Sequence, residues 1–167
     1  MEVDLVTAAT DADAEELWPV YAEVFEETRD LASWRADTWD RHVARAGFRL
    51  ARVRRGGELM GFAYGLTGEN GQWWTDRVTA VWPSGLADEW LDGHFELVSL
   101  GVRPAARGLG AGGVLLDAVT ADLPHDRWLL MTTADPAYPA RHPYASRGWD
   151  LVGPGLSEKQ VILGRRI

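Results

Sequence analysis

Leu100-Gly101-Val102-Arg103-Pro104-Ala105-Ala106-Arg107-Gly108-Leu109-Gly110-Ala111-Gly112-Gly113-Val114-Leu115-Leu116 decides how this chain is read. It begins inside Phe95 to Val102, a nearly continuous apolar run of the kind found in a strand covered on both faces. It is followed by Val114, Leu115, Ala118 and Val119, which fall on one side of a helix expected from about Gly110 to Asp122. The join is therefore a strand–turn–helix. Glycines at 108, 110, 112 and 113 strip the turn of side chains, so that backbone N–H groups can approach a ligand closely. They stand at a helix N-terminus, where free N–H groups and the helix dipole favour an anion, and Arg107 adds a fixed positive charge. Together these residues describe a pyrophosphate cradle.

Three uses of such a turn are open. Gly108, Gly110 and Gly113 fit the dinucleotide fingerprint GxGxxG, but Arg103 to Arg107 intervene between strand and glycines. A dinucleotide fold also needs several strand–helix–strand units, and only one is convincing here. A glycine-rich connector without a ligand is the second reading. The third is Arg-x-x-Gly-x-Gly, filled by Arg107, Gly110 and Gly112, with Val102 and Pro104 before it and Leu115-Leu116 after it.

In that third pattern the chain resembles the GNAT superfamily of N-acetyltransferases, whose acetyl-CoA motif is strand–Val-x-Pro-x-x-Arg-Gly-x-Gly-x-Gly–helix. Working outward, the element order agrees. A short strand over Val3 to Ala8 leads into a helix N-capped by Asp11 or Asp13 and running to about Glu27, and a second helix covers Ser33 to Arg45 and stops at Gly47. Strands over Phe48 to Val53 and Leu59 to Thr67 flank the hairpin signal Arg54-Arg55-Gly56-Gly57-Glu58. Residues 68–93 are rich in glycine and tryptophan, with short helices near Thr75 to Val81 and Leu86 to Leu91. Trp128 to Thr133 is a further buried strand, a short helix covers Tyr138 to Arg147, and strands over Trp149 to Val152 and Gln160 to Gly164 close the chain. The expected fold is a mixed-sheet α/β or α+β domain over residues 1–167, GNAT-like, with about seven strands and four helices. Gln72-Trp73-Trp74-Thr75-Asp76-Arg77-Val78 also resembles a segment of actinobacterial members.

The resemblance implies transfer of an acetyl group from acetyl-CoA to a small-molecule or protein amine, by direct attack in a ternary complex. It implies coenzyme contacts from Leu100, Gly101, Val102, Arg107, Gly108, Leu109, Gly110, Ala111, Gly112 and Gly113, with the amides near Leu100 to Val102 polarising the carbonyl. Glu96 lies six residues before Val102, a spacing resembling that of the glutamate base in histone-type members; it reads equally as an exposed glutamate at a strand start. His94 could stand in for it, or be a loop histidine. Tyr144-Ala145-Ser146-Arg147-Gly148-Trp149 resembles the family's Tyr-x-x-x-Gly-aromatic segment, making Tyr144 the acid for the departing thiolate, or else a core tyrosine. Tyr138 stands where members usually carry asparagine, and Pro143 where they carry Leu or Phe. Pro143 should kink or shorten its helix, and both departures leave open a CoA-binding module that has lost catalysis.

Composition bounds the rest. The chain has no cysteine, which removes disulfides, thiolate metal ligands and a cysteine nucleophile, and histidines 42, 94, 125 and 142 show no metal-ligand spacing, so no metal is expected. The beginning of the chain lacks a basic stretch followed by an apolar core, and no apolar run approaches the ~20 residues of a membrane span. A soluble, cytoplasmic protein is expected. Residues 11–40 hold ten acids and two bases, a balance of −8 that equals the formal net charge of the whole chain. Such a segment repels nucleic acid and would draw in a cationic acceptor, or is a solvated face. Trp73, Trp74, Trp82 and Trp90 cluster in the long connection, where they would stack on a ligand (Trp74 the first choice), cover the core, or bury a homodimer face. Arg49, Arg52, Arg54 and Arg55 read as solvated.

Overall fold

The computed structural model describes residues 1–167. In chain order the elements are β1 (Glu2–Val6), α1 (Asp11–Phe25), α2 (Leu31–Trp34, Arg35–Trp39 and Asp40–Val43 in succession), β2 (Arg49–Arg55), β3 (Glu58–Thr67), α3 (Trp73–Val81), α4 (Ser84–Trp90) and β4 (Phe95–Val102). There follow a 3₁₀ turn (Pro104–Ala106), α5 (Ala111–Thr120), β5 (Arg127–Thr133), α6 (His142–Ala145, led in by a 3₁₀ turn at Pro139–Arg141), β6 (Asp150–Pro154) and β7 (Gln160–Arg166). The strands form one mixed sheet in the order β1-β2-β3-β4-β5-β7-β6. Seven strands were expected and are present; the helices are six rather than four, because the glycine- and tryptophan-rich connection folds into α3 and α4. Two compact units divide the chain, and β4 is the strand that passes from one to the other: residues 1–66 with 99–122, and residues 67–98 with 123–167.

In the first unit β1 and β2 pair antiparallel, as do β2 and β3. The β2–β3 turn has Gly56 at φ 59 and Gly57 at φ 80, the two positive angles a twist-matched two-residue hairpin requires. The N-cap of α1 is Thr10, not Asp11 or Asp13: the Thr10 side chain accepts from the Asp13 amide and the Asp13 carboxylate accepts from the Thr10 amide. Asp13 is thus the third helical residue of a reciprocal capping box, worth about 1 kcal/mol. Ala14, Leu17 and Val20 form the buried stripe of α1.

The middle of α2 departs from α geometry. The Asp40 amide donates to the Arg35 carbonyl, five residues back, and Trp34 and Trp39 are both fully buried and stacked with centroids 5.2 Å apart. On a regular α-helix, residues five apart point about 140° from each other. The wider turn brings the two indoles onto one face, where Trp39 also meets Phe48 and Tyr64 edge-on.

In the second unit β5 and β7 pair antiparallel, β6 and β7 likewise, and β4 pairs parallel to β5. The β4–β5 ladder is three residue pairs long, from Phe95–Trp128 to Leu97–Leu130. Trp82, just after α3, and Trp90 of α4 cover this sheet, whereas Trp73 is exposed. A methyl on Gly153 would come within 2.8 Å of the Trp82 Nε1, and one on Gly164 within 2.7 Å of the Trp90 ring. The Trp82 indole N–H donates to the Pro154 carbonyl at 2.9 Å. Of the three readings for the tryptophans, core covering holds for Trp82 and Trp90, which lie flat where the strands offer no side chain. No helix is long and apolar enough to cross a membrane.

Candidate active site

The glycine-rich turn lies in the first unit. At the end of β4 the Arg103 amide donates to the Met60 carbonyl of β3 at 2.8 Å, which fixes where the turn starts. Pro104–Ala106 then makes one 3₁₀ turn, and the Arg107 Nε folds back onto the Val102 carbonyl at 3.1 Å. Gly108 and Gly110 follow at φ 77 and 81, left-handed values that side chains disfavour, and a Cβ on either would meet nothing within 4 Å. Glycine is therefore needed here for conformation, and the surface above both residues is open. Gly110 caps α5 without a side chain, so no side-chain acceptor from the cap reaches the first-turn N–H groups, and no acid occupies that turn. The helix's own bonding begins with the Val114 amide on the Gly110 carbonyl at 3.1 Å. Open glycines, a helix end without a capping side chain and an exposed guanidinium fit a diphosphate.

Gly101, on β4 just before this turn, is buried for a different reason. A Cβ there would meet Val24 at 3.0 Å, the Phe62 ring at 3.2 Å and the Phe25 ring at 3.4 Å. Its bare Cα lets α1 and β3 close onto the strand.

The second unit holds Glu96, His94, Trp74 and Tyr144. Glu96 is buried on β4 opposite Leu129 of β5, which removes its reading as an exposed strand-start residue. His94 is a loop residue just before β4, but a fully buried one: its Nδ1 accepts the Asp92 amide at 3.1 Å, and its ring fills the space that a side chain on Gly68 would need. With Nδ1 occupied as acceptor, the proton sits on Nε2. Burial, with the Arg127 charge, holds this imidazole down to about 4. His94 is consequently a neutral group without a lone pair to offer, not a stand-in base. The half-buried Trp74 ring lies 6.0 Å from it and packs on the Val78–Trp82 cluster.

Tyr144 is buried on α6, edge-on to Trp149 at 6.1 Å, and the Trp149 amide donates to its carbonyl. Burial pushes its phenol up to about 12. Pro143 shortens the helix as expected: it occupies the second position, where the missing N–H has no helical partner to lose, and Pro139–Arg141 is 3₁₀.

The charge of residues 11–40 is compensated in part from outside the segment, by Arg52, Arg54 and Arg103. Asp13 and Asp4 grip Arg52 at 2.6 and 2.7 Å, Glu16 grips Arg54 at 2.7 Å, Glu23 meets Arg103 at 3.0 Å, and Asp11 meets Arg35 at 2.7 Å. Arg29 is held by Glu27 at 2.6 Å and by Thr38 at 2.9 Å. Arg52 is thus buried and paired, and Arg54 is paired, rather than solvated. Sequence reading missed these pairs because the partners lie up to 80 residues apart.

A buried and a half-buried histidine make the fold acid-sensitive. His42, whose Nδ1 is 2.9 Å from the Tyr64 hydroxyl, is held down to about 4 by burial, like His94. In the unfolded chain both take up a proton near 6.5. Between these values the unfolded state binds more protons, so stability falls as pH drops, by about 1.4 kcal/mol per pH unit for each histidine. Urea midpoints should fall from pH 6.5 to pH 4.5, and His94→Gln should flatten that slope.

Comparison with known proteins agrees with this geometry. The chain is 26% identical over 140 residues to the GCN5-like protein acetyltransferase Rv2170 of Mycobacterium tuberculosis, covering 68% of each. Its fold is shared with an acetyltransferase from Thermus thermophilus (TM-score 0.70, 18% identity, 100% of this chain and 98% of that one). It is shared too with the PaiA N-acetyltransferase of Thermoplasma acidophilum, solved with coenzyme A (TM-score 0.66, 13% identity, 100% of both chains). The acetyltransferase (GNAT) family model matches residues 13–149, most of both units. The chain belongs to the acetyltransferase (GNAT) family and is an acyltransferase.

Proposed function

We propose that this protein moves the acetyl group of acetyl-CoA onto the nitrogen of an amine by direct attack in a ternary complex, using one domain over residues 1–167. The observation that carries the proposal is the open turn at Gly108 and Gly110 leading into a helix whose cap has no side chain. Amides of Gly108 to Gly113 bind the coenzyme diphosphate, Arg107 adds charge, and Leu100 to Val102 present backbone donors to the carbonyl oxygen. Acetyl-CoA supplies an acyl carbon activated as a thioester.

The chain's own groups handle the protons. The Glu96 carboxylate takes one proton from the acceptor nitrogen as that nitrogen bonds to the acyl carbon and the carbon–sulfur bond breaks. The Tyr144 phenol gives one proton to the sulfur, and the glutamic acid and phenolate then exchange with solvent, leaving N-acetylated acceptor and free thiol. Glu96 is buried, and burial keeps the Tyr144 phenol in its protonated, donating form at any working pH. Calorimetry with CoA, followed by thiol release from acetyl-CoA with a panel of amines, tests the proposal. Micromolar binding and amine-dependent thiol are expected; absence of binding heat would end it.

A further inference from the structure

The face of α1 that closes on β4 is aromatic, and it stands at the strand position assigned above to the acyl group. Tyr21, Phe25 and Phe62 form a connected set: Tyr21 to Phe25 is 4.9 Å between centroids, Tyr21 to Phe62 is 6.1 Å and Phe25 to Phe62 is 6.3 Å. Trp34 backs Tyr21 at 5.2 Å, with Trp18 against Trp34 at 5.2 Å. Phe62 and Phe25 reach to 3.2 and 3.4 Å of the place a Gly101 Cβ would take. Although it touches the strand, Phe25 keeps 45% of its surface exposed, and Tyr21 is half-buried. A large apolar ring left open beside a reacting centre is a contact surface waiting for a ligand.

Two of the three carboxylates bordering this wall are already paired, and Glu26 stands alone as an exposed one. Glu23 is bound to Arg103, and Glu27 holds Arg29 through two of its nitrogens while the third donates to Thr38. A polyamine finds no row of free carboxylates here, and an amino acid finds no free guanidinium for its carboxylate.

We infer that the acceptor is a primary amine carried on a flat apolar body, an arylalkylamine, with its ring against Phe25 and Tyr21. The inference rests on the reading of residues 100–113 as the coenzyme cradle. It makes the apolar wall, rather than the acidic segment, the part that selects among cationic acceptors.

The test uses the full chain with 2-phenylethylamine, n-butylamine and spermidine. Thiol release should give a kcat/KM for 2-phenylethylamine at least ~10-fold above that for n-butylamine, the scale on which an apolar pocket separates ligands. Spermidine should be the poorest, and the preference should survive 0.5 M salt. Calorimetry of 2-phenylethylamine into protein saturated with CoA, where no transfer occurs, should show binding that Phe25→Ala weakens by about tenfold. Phe25→Leu is the companion variant should alanine unfold the chain, and it should lose part of that affinity. Equal turnover of all three amines, a salt-sensitive preference for spermidine, or no turnover at all despite CoA binding would overturn the inference. Failure of CoA itself to bind would instead strike the cradle on which it rests.

Discussion

Gly110→Asp is expected to weaken CoA binding by about 100-fold while moving the thermal midpoint by only a few degrees. Gly110 sits at φ 81, at the mouth of the turn, with open space where its side chain would project. A carboxylate there would face a bound diphosphate at close range. At ~5 Å and an effective dielectric near 20, repulsion between two unit charges is about 3 kcal/mol, equivalent to roughly a hundredfold in affinity. The fold pays far less. An aspartate in a left-handed conformation costs about 1 kcal/mol, and a carboxylate at the start of α5 returns a similar amount by attracting its unsatisfied N–H groups. Gly110→Ala separates the two effects, since it carries the backbone strain without the charge and should lose much less affinity. Calorimetry with CoA and thermal melts on the three proteins make the comparison. If the aspartate variant binds CoA as tightly as the parent, the diphosphate does not lie at this turn.

How much of this could be read from the chain alone depended on whether the cause was local. β4 was legible to the residue, from Phe95 to Val102, because a strand buried over much of its length leaves a nearly continuous apolar run. The start of α5 and the β2–β3 turn were legible because a positive φ nearly demands glycine, and Gly110, Gly56 and Gly57 announce it. What stayed hidden was set by distant partners. Arg52 looks like any strand arginine until Asp4 and Asp13 are brought to it. His94 looks like an exposed loop residue until Gly68 makes room for its ring. The widened turn of α2 has no sequence mark except that Trp34 and Trp39, five apart, must both be buried. The aromatic wall did leave a trace, since Trp18, Tyr21 and Phe25 are spaced three and four apart along α1. Its meaning depended on Gly101, which shows that the wall reaches the strand behind the turn.

Glu96→Gln is expected to lower kcat by 100- to 1,000-fold with CoA affinity unchanged, the usual scale for removing a general base. The substitution keeps shape and burial but cannot take a proton. The discriminating readout is pH. As pH rises from 7 toward 9.5, solvent deprotonates a growing share of an alkylamine acceptor, and the burden on the base lessens. The parent-to-variant ratio of kcat/KM should therefore shrink with rising pH. Tyr144 does not confuse this limb, because its phenol, raised to about 12 by burial, stays protonated over the whole range. A glutamate that merely fills a buried strand position predicts something else: a lower melting temperature and a ratio that does not change with pH. His94 offers no bypass, having its Nδ1 bound to the Asp92 amide and its Nε2 protonated. If Glu96→Gln retained near-parental kcat at pH 7, the proton would have to leave by water alone, and Glu96 would be a structural residue of β4.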